Sequence, residues 1–483
     1  MQIPSGKRGE KAAAAAAKLT AEDERFLEKS LNGPMWQVIL LVGTPLALYE
    51  GLSILFSIMD TMMAAHISKE SVSAVAYLTQ LNAILSAVGG GLAVGAGILI
   101  SNAYGAGDYR RVRRLVSTLY VLCLASGVLM LAAILPFTDS FLRLAGTPEG
   151  LIAVGRPYFA VQMLEMVITF LNNVYIAVER ARGKAGLIFR LNLLTIAVKL
   201  ALTAYFVYVL EAGLVMIAVA SLLSQLSLFA VAVRNSFAGE SAFSFSREAV
   251  SFRREITGPM LSRSAPVMAE KALFAFGKTI VNSMCTFYGD VMVGAMGISN
   301  NLGGITTNPQ AGYQQGSAAV ISQNLGARRY ARVLQAFYCT LVIDAALGAV
   351  ISGLELWQLD ALAGLFDSGS SEFHRMIVTV YRYEALGAVP LGINAAVMAL
   401  LYGLGKTKLT LLLNVSRIFL FRIPVFWFLQ RFTDFGEASV GIVMMVSNVA
   451  VTVMAVVIAA AVIRRFKQEH AGEMCPAADG PAQ

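Results

Sequence analysis

The sequence predicts an all-α integral membrane protein of about twelve transmembrane helices in two parallel six-helix repeats. Three observations carry this. The first is composition: of 483 residues, 57% are hydrophobic and 14% charged, against the roughly 25% charge of a soluble globular chain. The same figures exclude a disordered chain, which is polar and charged. The second is a regular alternation of basic and base-poor loops between apolar runs. The third is a set of identical residues that recur at a constant offset.

The apolar runs come in two series. Candidate spans cover 36–64, 72–102, 115–136, 152–178, 186–209 and 212–233, then 257–288, 292–322, 334–356, 376–402, 409–429 and 438–463. Each approaches the ~20 residues that cross a hydrocarbon core as a helix. One set of loops holds Arg110, Arg111, Arg113 and Arg114; Arg180, Arg182 and Lys184; Arg253 and Arg254; Arg328, Arg329 and Arg332; Lys406 and Lys408; Arg464, Arg465 and Lys467. The other set carries only Lys69, Arg143, Arg375 and Arg431, with no basic residue around Glu211 or Asp290. Basic loops stay in the cytoplasm, so both termini are expected there, in the cell's inner (plasma) membrane. The net charge of +8 is then loop charge and not a nucleic-acid footprint. The expected organisation is a polar cytoplasmic tail (1–34), an N-terminal lobe (35–236), a cytoplasmic linker (237–256), a C-terminal lobe (257–465) and a second tail (466–483). The first 30 residues lack an apolar signal core, so no cleaved leader is expected.

The repeat is read from paired residues. Pro45 and Pro266 lie 221 apart, and between Gly91 and Val112 nine of 22 positions recur at that offset: Gly91/Gly312, Gly95/Gly316, Ile100/Ile321, Ser101/Ser322, Gly105/Gly326, Ala106/Ala327, Tyr109/Tyr330, Arg111/Arg332 and Val112/Val333. Unrelated sequence would give about one or two. Gly183, Lys184 and Asn192 pair with Gly405, Lys406 and Asn414 at 222. With six spans per half, both halves enter the membrane the same way, an arrangement that places a substrate site between them.

The run from Pro45 through Met59-Asp60-Thr61-Met62-Met63-Ala64, Ser73-Ala74-Val75-Ala76, Gly91 and Gly105-Ala106-Gly107-Asp108, with its echo Gly326-Ala327-Arg328-Arg329-Tyr330, resembles the multidrug and toxic compound extrusion (MATE) transporters. The resemblance covers about 35–463. It implies a bilobed, V-shaped transporter that exports amphipathic, often cationic compounds in exchange for H⁺ or Na⁺. It also implies that Asp60, fifteen residues after Pro45, is the first-helix acid that takes up the coupling cation.

Ionisable groups inside a bilayer are functional candidates by default, since each costs at least ~2.5 kcal/mol to insert. In the first span Glu50, Ser53, Ser57 and Asp60 fall at spacings of 3, 4 and 3, one helical face turned to a wet cavity. Gln162, Glu165, Thr169 and Asn172 repeat that spacing in the fourth span. Where the resemblance expects Asn and Asp in the fifth span, this sequence has Lys199 and Thr203. Lys199 needs an acidic partner, with Asp60 and Glu165 as candidates, and argues for H⁺ over Na⁺ because a fixed cation competes with Na⁺. The cation-coupling set is therefore Asp60, Glu165 and Lys199. The cavity set adds Asn82 and, from the second half, Glu270, Lys271, Lys278 and Asn282, with Asn301, Asn308 and Gln315 from the amide-rich eighth span. Val281 stands opposite Asp60 in the repeat, and Phe274 and Leu391 occupy positions where some bacterial relatives carry acids in the seventh and tenth helices.

Several chemistries are excluded. Gly405-Lys406-Thr407 lacks the first glycine of a phosphate-binding loop, since position 400 is Leu. Cys123, Cys285, Cys339 and Cys475, like His66, His374 and His470, show no metal or disulfide spacing. No catalytic nucleophile–base pair is evident, so an enzyme, a metal and a cofactor are not expected. The expected partners are a small-molecule substrate and membrane lipid, with the protein a monomer and H⁺ or Na⁺ as coupling ion. The alternative is a flippase for a lipid-linked or anionic substrate, drawn by Lys199, Lys271, Lys278, Arg417 and Arg422.

Overall fold

Inside hydrocarbon a backbone must satisfy its own N–H and C=O groups, and a helix does so within one segment. The computed structural model describes residues 18–67, 69–145, 149–237, 241–366 and 371–474, and its apolar runs are helical throughout. The first series is α1 (Ala21–Asn32), α2 (Met35–Ile67), α3 (Lys69–Gly105), α4 (Tyr109–Ile134), α5 (Thr138–Leu144), α6 (Glu149–Ala181), α7 (Ala185–Ala204) and α8 (Val215–Phe237). The second is α9 (Arg254–Cys285), α10 (Asp290–Gly326), α11 (Tyr330–Trp357), α12 (Leu359–Gly364), α13 (Ser371–Ala385), α14 (Ala388–Gly403), α15 (Thr407–Val415), α16 (Ile423–Phe432), α17 (Ala438–Glu469) and α18 (Ala471–Met474). π-Helical turns at Tyr205–Val209 and Ser416–Arg422 extend α7 and join α15 to α16.

Among the described residues nine stretches are long and apolar enough to cross a membrane, or ten if α13 and α14, bent by 48°, form one broken span. The twelve-span expectation also needs α9 and α10. They are long, at 32 and 37 residues. α9, however, carries Arg263, Glu270, Lys271 and Lys278, and α10 carries the amide-rich stretch from Asn300 to Gln315. Their polarity, not their length, keeps them below that threshold.

The helices gather into two compact units. The first comprises residues to Phe26, Leu48–Tyr104 and Asp108–Thr279; the second comprises Leu27–Ala47, Gly105–Gly107 and the chain from Ile280 onward. The start of α2 thus belongs with the second half of the chain, and most of α9 with the first. Glycines explain both placements. In the first unit Gly91 and Gly95 of α3 lie against Met268 and Ser264 of α9; a Cβ on Gly95 would sit 2.6 Å from the Ser264 backbone nitrogen. In the second unit Gly312 and Gly316 of α10 lie against Ala47 and Gly43 of α2; a Cβ on Gly312 would sit 2.4 Å from the Ala47 nitrogen. Met268 and Ala47, like Ser264 and Gly43, are themselves 221 residues apart. Small residues that admit a neighbouring backbone are the usual means of packing membrane helices, where lipid offers no hydrophobic drive.

The turns recur as well. Gly107 (φ +73°) and Arg328 (φ +58°) occupy one repeat position, and Gly183 (+76°) and Gly405 (+70°) another, all left-handed. That conformation costs an L-residue about 1–2 kcal/mol. Arg328 is exposed, so Arg328→Gly should raise stability by up to about 1 kcal/mol, after the entropy glycine adds to the unfolded chain. A thermal melt in detergent checks this.

The polar segments flanking the helices are ordered where described. Asp23 of α1 is buried and receives Arg182 Nε and Nη2 at 2.9 and 3.1 Å, while Tyr104 Oη donates to its backbone carbonyl. Gly183 leaves room for the Phe26 ring, since a Cβ there would lie 2.1 Å from Phe26 Cζ. In the linker, Ser246 N donates to Ser117 Oγ and Ser251 N to Thr118 Oγ1, both at 3.0 Å, which lays this strand of chain along α4.

Candidate functional site

Each unit buries a polar interior. In the first, α6 contributes the stripe expected from spacing. Gln162 Nε2 donates to Tyr158 Oη at 3.1 Å, and Asn172 Nδ2 donates to the carbonyl and side-chain oxygens of Gln225 on α8 at 3.0 and 2.9 Å. Both amides thereby commit their nitrogens to protein. Their oxygens, Gln162 Oε1 and Asn172 Oδ1, and the buried hydroxyl of Thr203 on α7 have no hydrogen-bond partner among the described residues. A buried polar atom left so costs about 1–3 kcal/mol, and such atoms are places where a substrate can bring the missing donor.

The ionisable candidates lie in the same unit as these amides. Glu50 is half-buried, with Tyr49 and Arg180 in electrostatic reach, so it gains a cationic neighbour from the end of α6. Ser53 Oγ donates to the Glu50 carbonyl at 2.7 Å. Glu165, Thr169 and Lys199 are half-buried, and Glu165 and Lys199 are both engaged by neighbouring groups. Asn82 Oδ1 accepts from Ser86 Oγ at 3.4 Å. Glu270 is buried, Lys278 half-buried and Lys271 exposed, its ammonium opposite Gly90 of α3. The side chains of Ser57 and Asp60 lie outside the described residues, although both positions belong to α2. All of these positions fall in the first unit, Glu270, Lys271 and Lys278 included. The other four, Asn282, Asn301, Asn308 and Gln315, fall in the second: Asn282 and Asn301 are exposed, Asn308 and Gln315 half-buried. The spacing that puts Asn282 on one face with Lys271 and Lys278 therefore does not put it in the same unit.

The second unit holds a charged network that spacing did not reveal. Glu355 of α11 is buried and accepts from Thr306 Oγ1 at 2.7 Å and from Tyr381 Oη. Glu384 of α13 accepts from Ser299 Oγ at 2.5 Å and lies in electrostatic reach of Glu355, Arg417 and Arg422. The two arginines converge on Asn448 Oδ1, Arg417 through Nε and Nη2 at 3.1 and 2.9 Å and Arg422 through Nη2 at 3.1 Å; Arg422 Nε also donates to Ser447 Oγ at 3.0 Å. Asp344, midway along α11, is fully buried. The signal was present in the sequence: Asp344 and Glu355 inside the apolar stretch 334–356, and Glu384 inside 376–402.

Long helices with amides and ionisable groups buried at mid-span define a polytopic membrane transporter. The MatE family model matches residues 45–206 and 266–428, two segments whose starts are separated by the offset of the repeated residues. The chain belongs to the MatE family; it is a MATE transporter and not an enzyme. It is 22% identical over 427 residues to the probable multidrug resistance protein YoeA of Bacillus subtilis (strain 168), covering 86% of this chain and 91% of that one. It is 21% identical over 279 residues to the multidrug export protein MepA of Staphylococcus aureus (strain MSSA476), a match over 57% of this chain and 61% of the relative. A MATE crystallised in complex with MaL6 has the same fold, with a TM-score of 0.88 at 19% identity over 93% of this chain and 100% of its own.

Proposed function

We propose that the protein is a secondary active exporter of amphipathic organic compounds, exchanging them for H⁺, with Na⁺ the second candidate ion, by alternating access. The observation that carries this reading is the polar interior of the first unit: buried, unpartnered acceptors on Gln162, Asn172 and Thr203 in an otherwise apolar bundle, in a unit that also holds the half-buried Glu50, Glu165 and Lys199. Such a lining offers a drug-sized cation hydrogen bonds and counter-charge within an apolar wall. The names of the Bacillus and Staphylococcus relatives support drug export and do not favour a lipid flippase. The reading includes twelve spans with α9 and α10 in the membrane, two parallel six-helix lobes, a plasma-membrane location and cytoplasmic termini. The double match of the family model and the reciprocal glycine contacts support the duplication, and the basic loops support the orientation.

Asp60, Glu165 and Lys199 are the proposed coupling groups. Burial penalises the charged form of a carboxylate, and coupling requires that the ion bind one state better than the other. Purified protein in liposomes, with H⁺ and Na⁺ gradients imposed separately, tests this. Export should follow the H⁺ gradient, and Asp60→Asn should lose it while still inserting. Export by the variant with an unchanged response to pH would remove Asp60 from the mechanism.

A further inference from the structure

The second unit holds an acid that neither the coupling set nor the Glu355–Glu384 network uses. Asp344 is the midpoint of the 28-residue α11 and is 0% exposed. Neither of its carboxylate oxygens has a hydrogen-bond partner among the described residues. It sits where three helices meet with little room. Gln310 Nε2 of α10 donates to the Asp344 backbone carbonyl at 3.0 Å and to the Ala388 carbonyl at the start of α14 at 3.1 Å. A Cβ on Gly392 of α14 would lie 2.4 Å from the Asp344 carbonyl oxygen, and one on Gly348 would lie 2.9 Å from Gln310 Nε2.

The groups facing it are few. α10 brings Tyr313 within electrostatic reach, its hydroxyl shared with Thr44 Oγ1 at 2.7 Å. α14 carries Tyr402 as its one ionisable side chain. Glu355 of α11 and Glu384 of α13 are bonded to Thr306, Tyr381 and Ser299, and Glu372 lies in the first turn of α13, at its far end from Glu384. No charged side chain among the described residues acts on Asp344. A carboxylate without donors or counter-charge in such a place is among the most costly groups a fold can bury. A carboxylic acid avoids most of that cost.

We propose that Asp344 is a second proton-binding site of the transport cycle: its carboxyl carries a proton in the packing seen here and gives it up when α10 and α14 draw away from α11. Release breaks the acid O–H bond, passes the proton to water entering the junction and leaves a carboxylate. Tyr313 Oη and Gln310 Nε2 are the donors on α10 that can then turn to it, the first leaving Thr44 and the second its two carbonyls. Pro309, inside α10 and next to Gln310, lacks the N–H of a continuous helix and provides the place to bend. The inference rests on the proton-coupled export proposed above. It differs in assigning a proton to each half of the chain, where the repeat position of Asp60 is apolar Val281.

The test follows protonation without transport. Wild type, Asp60→Asn and Asp344→Asn are reconstituted in liposomes without substrate, and infrared difference spectra are recorded between acid and alkaline buffers. The expected result is a protonated-carboxyl band that titrates in wild type and in Asp60→Asn and is missing in Asp344→Asn. Asp344→Ser gives the same readout should the asparagine variant fail to insert. Protons moved per substrate should fall by one in the Asp344 variant. Identical band changes in wild type and Asp344→Asn, or a band assigned to Asp344 that never titrates, would overturn the proposal. A titrating Asp344 band together with Na⁺-driven export would leave the site standing and sink the coupling-ion reading instead.

Discussion

Replacing Gly312 with alanine should lower stability by about 2–3 kcal/mol, the upper range for an overpacked interior. The added methyl would lie 2.4 Å from the Ala47 nitrogen and 2.5 Å from its Cα. These are backbone atoms of α2, which cannot rotate aside, so α2 and α10 must separate along their shared face. Gly91→Ala in the other repeat should cost less, because the nearest atom at 2.4 Å is the flexible Met268 Cγ, with backbone only at 2.7 Å. Gly97→Ala is the control: its methyl would meet only Ala177 Cβ at 3.5 Å, and a mid-helix Gly→Ala gains about 0.5–1 kcal/mol in propensity. The expected order of melting temperatures in detergent is Gly97→Ala at or above wild type, then Gly91→Ala, then Gly312→Ala. A Gly312→Ala protein that melts with wild type would show that α2 and α10 do not meet at Ala47.

That experiment bears on how much of the molecule the sequence already displayed. The helices were legible because hydrocarbon permits only internally bonded backbone, so a long apolar stretch has one outcome. The recurrence of Gly91, Gly95, Gly312 and Gly316 was legible because each lies close to a neighbouring backbone, where a larger residue costs stability. What each glycine touches was not legible, since contacts such as Gly95 with Ser264 link residues 169 positions apart. The same reason hid the division of α2 and α9 between units. In the candidate site, the spacing of Gln162, Glu165, Thr169 and Asn172 falls on the continuous helix α6, where period alone decides which side chains share a face. It could not find Arg180 beside Glu50, nor the set of Glu355, Glu384, Arg417 and Arg422, because pairings between helices leave no periodic trace. Asp344 was visible as an acid at the middle of an apolar stretch. Its lack of any donor became visible only once α10 and α14 were placed around it.

Removing Arg182 should detach α1, and with an unusual dependence on pH. Asp23 is 0% exposed and receives two hydrogen bonds from the Arg182 guanidinium, whose third nitrogen holds Glu179 Oε1 at 2.8 Å. Arg182→Ala strands both carboxylates in a buried place, a change that costs about 3–5 kcal/mol for a buried pair broken on one side. Arg182→Lys should fall between, because a single ammonium cannot match the fork that serves both oxygens of Asp23. Asp23→Asn combined with Arg182→Ala should recover part of the loss, since no buried charge then remains at the α1 end. Burial pushes the Asp23 carboxyl up, but the bonds and charge of Arg182, with the bonds of Thr20, outweigh it and leave Asp23 below its ordinary value. In the wild type the pair therefore stabilises fully above the ordinary carboxylate range, about pH 4, and the contribution fades as pH falls through the lowered folded value. In Arg182→Ala only burial and Thr20 act, the balance reverses, and acid should now help by neutralising Asp23. Hydrogen exchange of the α1 amides, corrected for the intrinsic pH dependence, reads both behaviours. Wild type should protect α1 at neutral pH and lose protection in acid, whereas Arg182→Ala should be unprotected at neutral pH and regain protection on acidification. Equal protection of α1 in the two proteins at neutral pH would mean that the Asp23–Arg182 pair does not hold this helix.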